Sequence, residues 1–471
     1  MSRSTVATLV ADGLVRAGVS RVFAAPGASR LVLDATRARS LAAVETSGPT
    51  AASVMAAVTA ELVDAPGVAL VSLDGPLAPV VDGAAHAMRD RAPVIVISDG
   101  AANARLLEPV VKASIVVDPA SAAHWIAHAM QAAMARPRGA VHLAIREGVA
   151  EAPALAIATA VRRAPLPAPA SAALDALADG IARASRPVLL AGLETAVDDA
   201  KWIRALAESL PAPVLTTAKG KGALPDPHPL ALGLFAADHP LLAQSDLLVS
   251  LGIDPVELTP SVWPAGVAVV RVTRSTQDEA VVGDIALVIE ELAPRLRGRI
   301  QADWDVAALD RLKRVLRASA PRSGLTRRRV VEIAREMTPA GTILALDVPL
   351  AAAWQSVAPR ECLVPNGVAT VGFALPAALA AALARDAARV IAVGAAPGFE
   401  AMAGEWSTAA RLGAAVVAIA LNHAGASNVA GAARAAGVDV LSAADEREFR
   451  GAFERAWRAD APALVDAHVA G

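Results

Sequence analysis

The chain has 471 residues, of which 55% are hydrophobic, 19% charged and 3% aromatic, with no tyrosine and a formal net charge of −2. That length accommodates two or three domains with their own cores, and the apolar fraction excludes a disordered interaction segment. A near-neutral balance with no basic stripe or tail excludes the electrostatic footprint of a nucleic-acid binder. The mean hydropathy of +0.46 comes from alanine-rich stretches. Arg, Asp, Glu and Pro interrupt them, so they read as buried core elements and no membrane span is expected. The start, MSRSTVATLVADG, is amphipathic and contains Asp12, which fits a first helix and not a signal peptide. A single cysteine, Cys362, cannot close an internal disulfide and reads as a small core side chain, so a cytoplasmic setting is expected.

In chain order, short apolar runs alternate with longer helical patterns, the signature of doubly wound α/β domains with parallel sheets. Residues 4–18 predict an amphipathic helix ending at Gly18. A strand over 22–25 and the turn Pro26-Gly27-Ala28-Ser29 follow. Helices are expected over 49–62 and 80–88, and strands over 68–72, 93–98 and 140–145. Pro49 suits a first helical turn, where its missing N–H costs nothing. The Ala- and Pro-rich stretch 151–171 reads as a linker, with a boundary near 160. Next come a helix over 171–184 and strands over 188–191, 214–217, 247–251, 267–272 and 285–288. A charged, proline-containing region at 293–310 closes that block. The last block predicts strands over 343–346, 390–393, 415–421 and 438–441, with helices over 328–337, 374–385, 401–411 and 446–457. The expectation is an α/β protein of three doubly wound parallel-sheet domains, 1–160, 161–303 and 304–471. Its ligand sites should lie in loops that follow strands.

The middle block holds the most specific run. Arg186-Pro187-Val188-Leu189-Leu190-Ala191-Gly192 precedes Ala212-Pro213-Val214-Leu215-Thr216-Thr217. Lys219-Gly220-Lys221-Gly222-Ala223-Leu224-Pro225-Asp226-Pro227-His228-Pro229 and Ser245-Asp246-Leu247-Leu248-Val249-Ser250-Leu251-Gly252 come next. This order resembles the central domain of the thiamine-diphosphate enzymes of the acetolactate synthase, benzoylformate decarboxylase and glyoxylate carboligase type. The resemblance spreads over nearly the whole chain. Arg16-Ala17-Gly18-Val19 and Val22-Phe23-Ala24-Ala25-Pro26-Gly27 resemble the opening of the family's pyrimidine-binding domain. Gly372-Phe373-Ala374-Leu375-Pro376-Ala377-Ala378 resembles the approach to its diphosphate-binding motif.

The resemblance implies pyrimidine-binding-like, central and diphosphate-binding-like domains, in that order. It also implies a site between subunits of a homodimer or homotetramer, with thiamine diphosphate and Mg2+ as cofactors. The reaction implied is carboligation or decarboxylation of a 2-oxo acid. That chemistry needs a carboxylate on the pyrimidine ring, oxygen ligands for the cation, and a pocket that excludes water.

At the matching positions the residues depart from the pattern. Counting back from Gly67 places Gly48-Pro49 where the family has a His-Glu pair, and Glu45 is the nearest acid. Glu45 takes the role only if an insertion shifts the strand end; otherwise it is a loop acid. Ser72-Leu73-Asp74-Gly75-Pro76 stands in place of a hydroxyl-rich loop, and Asp74 either takes a new role or makes a turn. Ala395-Ala396 stands where the metal-binding acid belongs, inside Gly394-Ala395-Ala396-Pro397-Gly398-Phe399. The family's Asn-Asn pair is Asn422-His423. Backbone amides of the Gly394–Gly398 loop are left to hold an anion, with Gly27, Phe399 and Asn422 as the other candidate cofactor contacts.

His86 and His423 are candidate general bases beside Glu45 and Asp74, against the plainer reading of satisfied or surface histidines. Glu405 and Asp347 match acids that the family keeps, for which a structural role is the plainest reading. Three functions therefore stand at this point. One is a thiamine-dependent enzyme with relocated acids, one a cofactor-free enzyme using the same cleft, and one a non-catalytic paralogue or partner subunit.

Overall fold

The computed structural model describes residues 4–100, 103–157, 165–276, 280–318, 324–367, 370–385, 389–423 and 427–470. The boundary expected near 160 falls among 158–164, outside the described residues. The chain forms two compact units. One comprises Met1–Ala164, Leu344–Val348 and Pro365–Gly471; the other comprises Pro165–Ile343 and Pro349–Val364.

The first unit contains two large sheets, beside a two-stranded antiparallel pair of Ser4–Thr5 with Pro153–Ala154. Strands β1 (Arg21–Ala24), β2 (Ala42–Glu45), β3 (Gly67–Ser72), β4 (Val94–Asp99), β5 (Ser114–Val116) and β6 (Val141–Ile145) form the N-terminal sheet. Its order is β2-β1-β3-β4-β6-β5, with every pair parallel. The central unit's sheet comes next in the chain, with β7 (Pro187–Ala191), β8 (Val214–Thr216), β9 (Ala231–Leu234), β10 (Leu247–Leu251), β11 (Ala268–Thr273) and β12 (Ala280–Val282). It is parallel throughout, in the order β9-β8-β7-β10-β11-β12. The C-terminal sheet of the first unit runs β13 (Ile343–Leu346), β14 (Val390–Ala395), β15 (Val416–His423), β17 (Ala463–Val469), β16 (Asp439–Ala443). The three sheets, flanked by helices, are the α/β architecture expected.

The local reasons are ordinary ones. Val68, Ala69, Leu70 and Val71 are buried in succession, as a strand covered on both faces requires. The Pro49–Val63 helix begins with proline in its first turn and ends at Asp64 in the left-handed region, φ 51°. Its alanines allow close approach on several sides. A Cβ on Gly67 would lie 2.0 Å from the Ala56 carbonyl oxygen, and one on Gly83 would lie 2.4 Å from the Ser53 Cβ. The Ala374–Ala384 helix packs against the same helix, so small residues join the N- and C-terminal sheets within the first unit.

Two expectations are corrected. Residues 285–288 are not a strand but open the Ile285–Leu296 helix, capped by Asp284, which accepts from the Ala286 and Leu287 amides. Ile285, Val288, Ile289, Leu292 and Leu296 are its buried face, a helical period that a four-residue window cannot distinguish from a strand. The helix expected over 401–411 is two, Ala396–Ala401 and Glu405–Leu412. Strands β2, β5, β9, β12 and β17 are additions to the sequence reading.

Candidate functional site

At the carboxyl ends of the C-terminal strands, Asp347 follows β13 and its backbone N–H donates to the Val393 carbonyl. Its Oδ2 accepts from the Ala374 amide at 3.5 Å, at the start of the Ala374–Ala384 helix. Its Oδ1 is buried without a partner among the described residues. Cβ atoms built on Gly394 and Gly398 would lie 2.5 and 3.2 Å from this carboxylate, so Asp347 fills the space over the loop read as an anion cradle. Burial pushes its carboxyl up to about 6, against the Ala374 and Ala395 amides, which favour the charged form.

Phe399 is buried and stacked on Trp406, with ring centroids 5.7 Å apart. Asn422, near the end of β15, is buried, and its amide donates to Asp466 Oδ1 at 3.0 Å. Its own Oδ1 has no partner among the described residues. His423 is exposed at the strand end.

The N-terminal domain places the remaining candidates. Glu45 is the last residue of β2 and is exposed; its carboxylate pairs with Arg37 at 2.8 Å, and its carbonyl accepts from Arg411. Pro49 occupies the first turn of its helix. Gly27, at φ +81°, packs on Ser72, its built Cβ lying 3.3 Å from the serine Cβ. Asp74 is exposed in the bend after β3, with its N–H donating to Ser72 Oγ at 3.3 Å. His86 is fully buried on the Ala78–Arg89 helix. Its ring lies 5.4 Å from that of Phe373, and its Nε2 is 3.8 Å from Asp90.

One acid emerges that the sequence reading had not singled out. Asp99 ends β4 directly opposite Ser72 in the register. Desolvation raises its pKa, and the charge of Asp74 adds to the rise; bonds from Ser72 and from the backbone at Asp99 and Leu73 oppose it. A carboxyl group held above its ordinary range beside a second carboxylate can store and deliver a proton. The available signal was position alone, an acid at the carboxyl end of a buried parallel strand. The structure thus gathers Gly27, Ser72, Asp74 and Asp99 at one sheet end, and Asp347, Gly394 and Gly398 at another. Glu45 is turned to Arg37, and His86 sits under Phe373.

In the central unit, the strand order reverses between β7 and β10, the crevice where open parallel sheets take ligands. Here the chain closes it with its own acids. Glu257 accepts from the Leu193 amide at 2.8 Å and from Thr217 Oγ1 at 2.6 Å. Glu194 accepts from Thr273 Oγ1 and the Arg274 amide at 2.7 and 2.8 Å. Desolvation lifts the Glu257 carboxyl to about 7.

With this geometry in place, three family models match the chain in order. They are the thiamine pyrophosphate enzyme N-terminal TPP binding domain over residues 4–118, the central domain over 174–292, and the C-terminal TPP binding domain over 347–431. The chain belongs to the thiamine pyrophosphate enzyme family. It is 27% identical to the catabolic acetolactate synthase of Raoultella terrigena, over 88% of this chain and 82% of that protein. Against the acetolactate synthase of Bacillus subtilis the identity is again 27%, over 88% and 81%. The solved 4-hydroxybenzoylformate decarboxylase of Rhodococcus jostii superposes with a TM-score of 0.83 at 19% identity, over 99% of both chains. That likeness is one of fold.

The family implies a diphosphate held with a divalent cation, and the residues present do not fit that pair. Ala395 and Ala396 carry no side-chain oxygen. Asp347 meets a phosphate with like charge, and His423 offers an imidazole that magnesium disfavours. Among the described residues, Asp347 Oδ1 and Asn422 Oδ1 are unsatisfied oxygens at strand ends. Among the described residues no group of three or more His, Cys, Asp or Glu side chains is placed to hold a metal. No helix among them is long and apolar enough to cross a membrane.

Proposed function

We propose that this chain is an acetolactate synthase-like member of the family, acting on a 2-oxo acid by carboligation or decarboxylation through thiamine diphosphate. The observation that carries this reading is the match of all three domains in order, together with identity along 88% of the chain to a catabolic acetolactate synthase. We also place the protein in the cytoplasm as a homodimer or homotetramer. Within the chain, Asp99 with Ser72 is the group best set to move a proton, and Ala395 and Ala396 give a divalent cation no side-chain ligand.

The test is calorimetric titration of the full chain with thiamine diphosphate, with and without Mg2+, followed by a pyruvate-consumption assay. Binding is expected in both titrations at similar affinity, since neither alanine offers the cation a ligand. Saturation at about 100 times Kd should stabilise the fold by roughly 2.7 kcal/mol. Absence of binding in both titrations would overturn the proposal and leave the fold serving another role.

A further inference from the structure

The central unit holds a second feature, independent of the cofactor question. A cavity of about 720 Å³ lies between edge strand β9, the Val306–Arg317 helix and the Arg327–Glu336 helix, within the size range of small-molecule sites. Six cationic side chains line it: Lys221, Lys313, Arg317, Arg328, Arg329 and Arg335. Three carboxylates, Asp226, Glu332 and Glu336, face them, so the wall carries an excess of positive charge.

Three of the six cations, Lys221, Lys313 and Arg317, meet at Asp226. Lys221 is nearly fully buried and pairs with Asp226 Oδ2 at 2.7 Å, an oxygen that also accepts from the Ser356 amide. The Asp226 carbonyl accepts from Lys313 Nζ at 2.9 Å and from Arg317 at 2.7 Å. Lys313 is 7% exposed, and its other described bond also ends on a carbonyl, that of His228. Arg335 lies over the Trp354 ring at 5.3 Å and donates to the Gln355, Thr338 and Pro339 carbonyls.

Arg328 pairs with Glu332 at 2.9 Å, and Arg329 with Glu332 and Glu336 at 3.5 and 2.7 Å, whereas carbonyls position Lys313 and Arg335 without cancelling their charge. Trp354 itself is 1% exposed, and its indole N–H has no partner among the described residues. Leu232, Leu234 and Leu316 supply an apolar side to the same cavity.

We propose that this cavity binds a phosphate-bearing small molecule, with the arginines and Lys313 holding the anionic group and the leucines holding its organic part. Planar guanidinium groups match phosphate oxygens in pairs, and a partly enclosed wall with net positive charge raises the local concentration of such an anion.

Inorganic pyrophosphate without metal is the probe, titrated calorimetrically into the full chain at pH 7 in low salt. Saturable binding is expected, weakening as ionic strength rises. The double variant Arg328→Gln, Arg329→Gln, folded by circular dichroism, should bind at least tenfold more weakly. A second variant, Leu316→Asp, places a carboxylate on the apolar wall and should weaken binding to a similar degree. No heat from the wild-type chain at 10 mM probe would overturn the proposal. So would unchanged affinity in both variants, which would send the probe elsewhere on the molecule.

Discussion

Asp347 shows how much a single side chain settles here. Its carboxyl rises to about 6 in the fold against an ordinary value of 3.8, so the folded state binds the proton more tightly than the unfolded chain. The stability this contributes is complete below about pH 3.8 and is lost as pH rises through about 6. Asp347→Asn removes the charge and leaves the shape. Relative to wild type, the variant should therefore gain on the order of 2 kcal/mol between pH 4 and pH 7. An unbonded amide shifts both ends of that comparison equally, so the pH dependence is the readout. Thermal unfolding of both proteins across that range checks it, and a difference constant with pH would contradict the account of Asp347. Pro49 is the complementary case. Its residue type, read at its position, already announced a helix start with no carboxylate, and the structure places it in the first turn.

At the scale of elements, the sheet cores were legible because parallel strands with both faces covered are short, continuous apolar runs, as in 68–71 and 247–251. The edge strands β2, β5, β9 and β12 were not, being brief and only partly buried, and neither was interior strand β17, whose apolar run is broken by Asp466 and His468. The segment 285–288 misled because its alternation is too short to separate a strand from the buried stripe of the Ile285–Leu296 helix. Site residues in motif positions were legible as departures from a pattern. Asp99 was not, because its importance comes from Ser72 across the strand pair and from Asp74 beyond it. Helix-on-strand packing leads to the next prediction. Gly67→Ala drives a methyl group into the Ala56 carbonyl, 2.0 Å from where its Cβ would stand. That backbone belongs to the helix that supports both neighbours, so the cost should be roughly 1–3 kcal/mol, read as a lowered thermal midpoint. An unchanged midpoint would show that the helix shifts freely.

For the whole molecule, the first unit unites segments far apart in the chain through one buried acid. Glu405 is fully buried, and its Oε1 accepts from the Ser47 amide and hydroxyl at 2.7 and 2.5 Å. A Cβ on Gly404 would sit 2.4 Å from the Ser47 Cβ, so the two chain segments touch with no slack. Glu405→Ala strands both donors and should cost roughly 2–4 kcal/mol, while Glu405→Gln keeps an acceptor and should recover part of it. If the alanine variant melts like wild type, this contact does not couple the N- and C-terminal sheets. The composition brings a different consequence. With no tyrosine in the chain, near-ultraviolet emission comes from seven tryptophans alone. Trp354, buried beneath Arg335 on the wall of the cationic cavity, is therefore an intrinsic fluorophore placed against that guanidinium. Titration of pyrophosphate into the cavity is therefore expected to change tryptophan emission in the unlabelled protein.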